Sequence, residues 1–284
     1  MKFKFKYVNS KGETVDFSDF PYLFQDGSLL DYAWSYETVE NSNKVFNFNR
    51  KPVEKTFQIA VVPDFNTDVT ERREKLKNAV NRIFEVLEFD VLNGVNGKLY
   101  CGEDMYLPCR ISASTKSDWN KGIPFMFQEF TAVSAKGCWL KEVKKSFTVK
   151  QEQGTDEMLD YPYDYKYDFA SSVSGTEYWS VNKLASSDFL LTIYGSAVNP
   201  TVYINSEPYA VFVTLEANEY LTIDSRTNEV VKHTDSGDIS VYDLRGKQHS
   251  VFSKIPSGDL LVTWNGNFGF DIVAFAERSE PEWT

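Results

Sequence analysis

The strongest constraint on the fold lies in residues 255–283, which read IPSGDLLVTWNGNFGFDIVAFAERSEPEW. Apolar side chains alternate with other residues on both sides of an Asn-Gly-Asn sequence at residues 265–267. This period of two is typical of a β-strand with one buried face. Asn-Gly accepts the positive φ angles that a tight turn between strands requires. The segment therefore predicts a hairpin of two strands, residues 259–264 and 268–276.

The size and composition favour a β-rich globular protein of two domains. The chain has 284 residues, of which 42% are hydrophobic, 25% charged and 15% aromatic. Aromatic side chains suit the pleated, half-buried surface of a sheet. The first residues alternate lysine with aromatic residues instead of forming an apolar signal core. No apolar run approaches the ~18 residues that span a bilayer, so we expect no membrane insertion.

Charge divides the chain into two unlike halves. Residues 1–150 hold 22 basic and 20 acidic side chains, a net charge of +2. Residues 151–284 hold 8 basic and 21 acidic side chains, a net charge of −13. This asymmetry predicts two modules with a boundary at 150–159, a polar segment with one glycine. The acidic half lacks the basic patch that phosphate contacts require, so we expect no sequence-specific nucleic-acid binding.

The first module, residues 1–150, is predicted to be β-sandwich-like with one inserted helix. Residues 69–87 have apolar side chains at helical spacing, and Asp68 with Glu71 resembles a helix cap. The apolar stripe is more typical of packing on a neighbouring sheet than of a groove for a partner. Predicted strands are residues 3–8, 14–17, 46–48, 57–61, 98–101, 107–114, 125–135 and 138–143.

The second module, residues 151–284, shows short strands about every ten residues and no helical pattern. This spacing predicts a β-sandwich. The predicted strands are residues 188–194, 201–204, 210–215, 220–223, 229–232, 239–244, 259–264 and 268–276.

The residues that carry chemistry in enzymes are sparse. The sequence has no phosphate-binding loop, His-Glu-x-x-His site or Gly-x-Ser-x-Gly elbow. With only His233 and His249, it offers few general bases, and both are expected in exposed loops. The three cysteines, Cys101, Cys109 and Cys138, are an odd number, which favours reduced thiols in a protein made in a cytoplasm. A disulfide between Cys101 and Cys109 is the minority alternative. We therefore expect no catalytic residues, no cofactor and no metal.

Four aromatic residues are candidate contacts for carbohydrate or protein: Trp179, Tyr163, Tyr165 and Trp283. Tyrosines alternate with other residues from Tyr161 to Tyr167, which favours a strand over an aromatic platform for sugar. Trp264 continues an alternating apolar run, so its expected place is the core. Trp179 and Trp283 are less constrained, and a tryptophan near the end of the chain is costly to expose.

Three segments together resemble the phage distal tail protein family. The closing segment with its Arg-Ser-Glu-Pro-x-Trp end, residues 278–283, is similar to the C-terminus of that family. Residues 189–209, FLLTIYGSAVNPTVYINSEPY, resemble its strand, Ile-Tyr-Gly break, Asn-Pro turn and short strand. Residues 3–15, FKFKYVNSKGETV, resemble its opening strand and turn.

The resemblance implies a non-enzymatic structural protein of a siphovirus tail tip or baseplate, from a phage or prophage. The N-terminal module would form a ring, usually a homo-hexamer, and the C-terminal module would be a galectin-like β-sandwich. The ring would join the tail-tube protein to the tail-tip or fibre hub protein, and would keep a channel open for DNA. Its place would be the virion tail tip, after assembly in the host bacterial cytoplasm. Because of their charge, the second modules are expected to project outward.

Two other functions remain open at this point. The second module is alternatively a carbohydrate-binding, lectin-like adhesion domain that recognises host wall polysaccharide during host attachment. A sandwich architecture alone does not establish that function. The other alternative is an unrelated two-domain binding or hydrolytic protein. The chain has enough carboxylates to supply the pair of acids that a glycosidase uses.

Overall fold

The computed structural model describes residues 3–39, 44–62, 68–117, 119, 125–150, 174–181 and 184–282. Within these ranges the chain is mainly β, with 21 strands, one α-helix and one 3-10 helix. This confirms the predicted fold class. The chain divides into two compact units: unit 1 is Met1–Lys141 with Glu277–Thr284, and unit 2 is Glu142–Ala276. Independent folding of 1–150 and 151–284 stays a prediction.

Unit 1 is built around one long strand, β8, which pairs with β7 and β10 through its first residues and with β9 through its later ones. The pairing continues from β7 to β1 and β2, and from β9 to β6 and β3. The strands are β1 Phe5–Val8, β2 Thr14–Asp16, β3 Tyr22–Gly27, β4 Ser35–Thr38, β5 Val45–Asn49, β6 Val53–Val61, β7 Gly97–Cys101, β8 Met105–Ser117, β9 Met126–Ser134 and β10 Trp139–Phe147.

The helix α1 spans Val69–Leu92 and packs on β8, β6 and β2. Asp68 caps its start, as predicted, by accepting a hydrogen bond from the Thr70 backbone N–H. The helix continues five residues past the predicted end, and its buried face there includes the carboxylate of Asp90. That carboxylate accepts hydrogen bonds from the Tyr7 hydroxyl at 2.6 Å and the Ser10 hydroxyl at 2.6 Å. Because these hydrogen bonds satisfy its oxygens, the carboxylate of Asp90 can lie on the buried face of the helix.

The strands of unit 2 are β11 Gly175–Ser180, β12 Asp188–Tyr194, β13 Ala197–Val198, β14 Thr201–Ile204, β15 Glu207–Ala210, β16 Thr214–Leu215, β17 Tyr220–Asp224, β18 Glu229–Thr234, β19 Gly237–Ser240, β20 Asp259–Trp264 and β21 Phe270–Arg278, and a 3-10 helix spans Tyr242–Leu244. Two sheets, with the strand orders β19-β18-β17-β12-β21 and β11-β20-β14-β15, direct their inward side chains into one hydrophobic core. Strands β13 and β16 pair with each other in a small third sheet.

The predicted C-terminal hairpin is wrong. Strand β20 pairs with β11 and β14, whereas β21 pairs with β12 in the other sheet. The Asn-Gly turn therefore carries the chain from one sheet to the other, and the two strands face each other through their side chains. We call this segment, residues 259–276, the arch. Within its turn, the Asn265 side-chain oxygen accepts from the Asn267 N–H, and the Trp264 indole N–H donates to the Phe268 carbonyl at 3.1 Å.

Other differences from the predicted strands have local causes. The predicted strand 210–215 is interrupted between β15 and β16, where Val211 forms a single bridge to Arg245. The predicted strand 239–244 ends at Ser240 and gives way to the 3-10 helix. Strands β3, β4, β11 and β13 were not predicted, and neither was β15 before its last residue, Ala210.

Candidate interaction surface

A two-stranded arm in unit 1 exposes most of its apolar side chains. Strands β4 and β5 pair with each other in a sheet of their own. Their large side chains alternate with other residues, as in a half-buried strand, yet no described element covers them. The exposed fractions are 57% for Tyr36, 59% for Phe48 and 41% for Phe46. Tyr36 and Phe48, whose rings are in contact, leave apolar surface exposed, and exposed apolar patches are common where proteins contact other molecules. We call residues 32–39 and 45–49 the aromatic arm.

Aromatic and polar contacts order the described part of the arm. The rings of Tyr36 and Phe48 lie 5.7 Å apart across the two strands. The Asn47 amide donates to the Glu37 carboxylate at 2.9 Å. Asn47 has a φ of +54°, a conformation that asparagine tolerates better than most residues. The exposed rings are therefore presented on an ordered ladder.

The base of the arm is held by Arg50, the residue after β5. Its guanidinium lies 4.5 Å from the Trp34 ring centre, a cation–π geometry. It also donates to the Glu277 carboxylate at 2.7 Å and to the Ser279 hydroxyl at 3.3 Å. Lys136 lies 3.3 Å from the same carboxylate. The segment that carries the Arg-Ser-Glu-Pro end thus closes the base of the arm.

A buried lysine holds the loop that leads into the arm. Lys55, on β6, is 2% exposed, and its ammonium donates to the carbonyls of Leu29 and Asp31. Burial lowers the pKa of Lys55, while the Asp31 carboxylate opposes that shift. Carbonyl partners for the ammonium offset much of the cost of desolvation. The entry and the exit of the arm are therefore both fixed by charged hydrogen bonds.

A second apolar feature of unit 1 is concave. Phe3, Phe5, Phe24 and Leu30 line a cavity of about 470 Å³. Phe5 and Phe24 are in ring contact at 4.7 Å. Its other lining residues include the carboxylates Asp26, Asp31 and Glu280. The cavity therefore offers an aromatic floor with an acidic margin, which suits an apolar side chain flanked by a cation.

The described residues do not assemble a centre for covalent chemistry. Burial raises the pKa of the Cys101 and Cys109 thiols to about 12 and that of Cys138 to about 11, so the thiolates are scarce at neutral pH. All three are free. The disulfide alternative is wrong, because Cys101 lies opposite Met105 and Cys109 lies opposite Gly97. Among the described ranges, no group of three or more potential metal ligands comes together.

The two histidines differ in position. His249 lies outside the regular elements, with 53% of its side chain exposed, as expected. His233 is on β18 instead of in a loop, and 20% of its side chain is exposed. Its ring stacks on Tyr220 at 4.3 Å and contacts Asp238 at 2.6 Å and Thr222 at 3.0 Å. These contacts give His233 a structural role between neighbouring strands.

The four aromatic residues predicted as contacts do not form one site in the described structure. Trp179 is on β11, opposite Leu260, and is 5% exposed within the core of unit 2. Tyr163, Tyr165 and Trp283 lie outside the described residues. A contact role for these four residues stays a prediction. The aromatic arm was missed, although the Trp-x-Tyr and Phe-x-Phe spacings at residues 34–36 and 46–48 are the signal that marks its two strands.

Comparison with known proteins gives no match at the level of sequence families. No protein-family model matches the chain, and no curated protein does. Across the part of the chain that the structure describes, no helix combines the length and apolar character needed to cross a bilayer.

Comparison with solved structures gives matches over nearly the whole chain. The Dit (gp 19.1) protein of phage SPP1, described as a paradigm of the hub adsorption apparatus in phages that infect Gram-positive bacteria, is matched with a TM-score of 0.59 and 11% identity, over 98% of this chain and 100% of that one. A chain of the phage P2 baseplate in its activated conformation with Ca is matched with a TM-score of 0.59 and 14% identity, over 99% and 100%. The same baseplate with Sr gives 0.58 and 13%, over 99% and 100%. The chain therefore has the fold of these phage tail and baseplate proteins.

Proposed function

We propose that this protein is a distal tail protein, a non-enzymatic component of the virion tail tip that forms a closed homo-hexameric ring. The ring joins the tail-tube protein to the tail-tip or fibre hub protein and surrounds a channel for DNA. The observation that carries the proposal is the fold match, which covers 98% of this chain and 100% of the SPP1 Dit chain. A match of that extent includes both units of this chain, and is not limited to one module that many proteins share.

The aromatic arm supplies the kind of surface that ring formation needs. A ring is built from heterologous contacts, in which one surface of each copy meets a different surface of the next. In this proposal the arm, with Tyr36 and Phe48, is the first surface, and the cavity floored by Phe5 and Phe24 is the second. Lys51, an exposed residue at the base of the arm, has the charge that the acidic residues of the cavity attract.

Charge supports a ring in which the first halves touch and the acidic second halves stand apart. Six copies would bring together −78 formal charges from their second halves, at −13 per copy. At physiological salt, screening acts over ~8 Å, so compact contact between these halves would be costly. The first halves carry only +2 each and repel one another little. The second modules are therefore proposed to project outward.

Particle mass tests the ring and the arm together. We expect the parent chain to form particles of about six times its 32.6 kDa mass, with a central hole in negatively stained images. Tyr36→Ser with Phe48→Ser should shift the population to monomer at equal concentration. The matched control is Phe212→Ser with Tyr242→Ser, which removes two exposed aromatic residues from unit 2 and should leave the particle mass unchanged.

Two results would count against the proposal. If the arm variant assembles as well as the parent, the arm is not a ring contact. If the parent remains monomeric at every concentration and also fails to join purified tail tubes, the ring itself is wrong. Circular dichroism of each variant separates lost assembly from lost folding.

A further inference from the structure

One sheet of unit 2 has an outer face that no element of the described residues covers. Strands β11, β20, β14 and β15 direct one set of side chains into the core, including Trp179, Val262 and Tyr209. Because side chains alternate along a strand, the intervening residues share the opposite face. That face exposes Tyr178 at 75% and Tyr203 at 42%. We call it the outer tyrosine face.

The strand register assembles these side chains into adjacent rows. Tyr178 lies directly opposite Leu261, and Tyr203 lies opposite Thr263. Residues directly opposite in an antiparallel pair point to the same side of the sheet. The full set of outward residues on the four strands is Thr176, Tyr178, Ser180, Thr201, Tyr203, Pro208, Ala210, Asp259, Leu261 and Thr263.

The outward side chains of these four strands are almost without charge, although the half of the chain that carries them has a net charge of −13. Lys145 lies at the edge of β11, where its ammonium donates to the Tyr178 carbonyl at 2.5 Å and pairs with the Glu177 carboxylate. Among the outward residues Asp259 alone is charged, and it lies opposite Ser180 at one end of β11. The others offer phenol rings, hydroxyl groups and short apolar side chains. Hydroxyl groups both donate and accept hydrogen bonds, so they can match the hydroxyls of a sugar in either direction.

We propose that the outer tyrosine face binds an uncharged polysaccharide, with sugar rings stacked on Tyr178 and Tyr203. The rings supply the apolar surface for stacking, and Thr176 and Thr263 supply hydrogen bonds between them. This site does not depend on the proposed ring. It also lies one residue from Trp179: the indole points into the core, and the neighbouring phenol points to solvent.

The charge of the face selects among the ligands that occur on bacterial surfaces. A phosphate-bearing wall polymer needs basic side chains, and the outward residues of the four strands include no lysine or arginine. The charge of Lys145 at the edge of β11 is matched by its ion pair with Glu177. Within the acidic half of the chain, such a polymer would also be repelled. An uncharged glycan meets neither obstacle. Charge complementarity therefore favours a neutral ligand.

The positions of the two tyrosines favour a chain of sugars over a single one. Tyr178 and Tyr203 are separated by two strand spacings and by two residues along the strand direction. With strands ~4.8 Å apart and a rise of ~3.4 Å per residue, the separation is roughly 12 Å. A single sugar ring does not reach both phenols, so affinity should rise with the length of the oligosaccharide.

Binding of the full-length protein to defined glycans tests the site. The probes are an array of neutral hexose and N-acetylhexosamine oligosaccharides of increasing length, with wall teichoic acid as the charged comparison. We expect the protein to bind a neutral oligosaccharide and to ignore teichoic acid. Tyr178→Ala with Tyr203→Ala should weaken that binding by about tenfold or more, as truncation of central contact residues does.

The control variant is Phe212→Ala with Tyr242→Ala, which removes exposed aromatic residues of unit 2 that are not on these four strands. It should bind glycans like the parent, and all variants should unfold at similar temperatures. The site is overturned if the parent binds no neutral glycan, if it binds only teichoic acid, or if the tyrosine variant binds equally well. It is also overturned if that variant changes the particle mass while the parent binds no glycan, because a second copy then occupies the face. Particle mass measured on the same samples reports separately on the ring.

Discussion

The aromatic arm and the arch have the same alternation of aromatic with other residues, but the aromatic side chains are exposed in the arm and buried in the arch. In the arm, Trp34, Tyr36 and Phe48 occur in alternating runs and remain exposed. In the arch, Trp264 and Phe270 occur in similar runs and are 3% and 1% exposed. The arm strands pair only with each other among the described elements, whereas each arch strand joins a separate sheet. Alternation thus identifies a strand, and the partners of the strand decide whether its apolar face is buried.

The largest difference should appear when one aromatic residue is truncated in each region. Trp264→Ala removes an indole that contacts Phe147 and Phe270 at 5.7 and 5.2 Å, and should cost about 3–5 kcal/mol of unfolding free energy. Phe48→Ala removes an exposed ring and should change that free energy by less than about 0.5 kcal/mol. Urea unfolding of both variants as monomers measures the difference. Equal costs would show that the arm packs against its own unit.

A smaller effect is expected when the base of the arm is loosened. Arg50→Met keeps an apolar stem near Trp34 and removes the hydrogen bonds to Glu277 and Ser279. The stability of the chain should fall by about 1–2 kcal/mol, because both ends of the ion pair are largely shielded from solvent. Hydrogen exchange of residues 35–38 and 45–49 should accelerate, while exchange in the arch stays unchanged. Arg226→Met, at a more exposed ion pair in unit 2, is the control.

The smallest effect concerns an ion pair beside the arch. Hydrogen bonds from Lys150, and then from Lys145, hold the pKa of Glu177 below its ordinary value of 4.5. The carboxylate therefore stabilises the folded state above pH 4.5, and this contribution disappears as the pH falls through the lowered pKa. Glu177→Gln should lower stability at pH 7 by less than about 1 kcal/mol. In acid titrations followed by tryptophan fluorescence, the stability gap between the variant and the parent should narrow as the pH falls below 4.5 and close once the pH is below the lowered pKa of Glu177. A gap that stays constant down to acid unfolding would contradict the assignment.

The parts of the fold that the sequence predicted correctly are those in which local signals, strand alternation and helix capping, are sufficient to define the element. The strands Asp188–Tyr194, Thr201–Ile204 and Asp259–Trp264 have the predicted bounds. The start of α1 follows from Asp68, whose side chain caps the helix without help from distant residues. These features depend on alternation and capping, which can be read within a few residues of the sequence.

The parts that were missed depend on distant partners. The helix was predicted to stop at Leu87, the last apolar position of the stripe, whereas its buried face continues to Asp90. The carboxylate of Asp90 accepts a hydrogen bond from Tyr7, 83 residues away in sequence, and the local pattern does not show that partner. The hairpin prediction failed because the Asn-Gly sequence specifies a turn but not the pairing of the strands beside it. Strand β20 pairs with β11 and β14 instead of with β21. The sequence also did not show that the side chain of Trp179 is buried while that of its neighbour Tyr178 is exposed. A period of two gives the two faces of a strand and does not say which one is buried.

The base of the arm sets an order of events during synthesis. Arg50 receives its carboxylate partner, Glu277, from a position 227 residues further along the chain. While a ribosome is still translating the intervening residues, a nascent chain holds the exposed rings of the arm without the carboxylate that fixes their base. The contacts that fix the base of the arm are therefore completed only after Glu277 has been added to the chain.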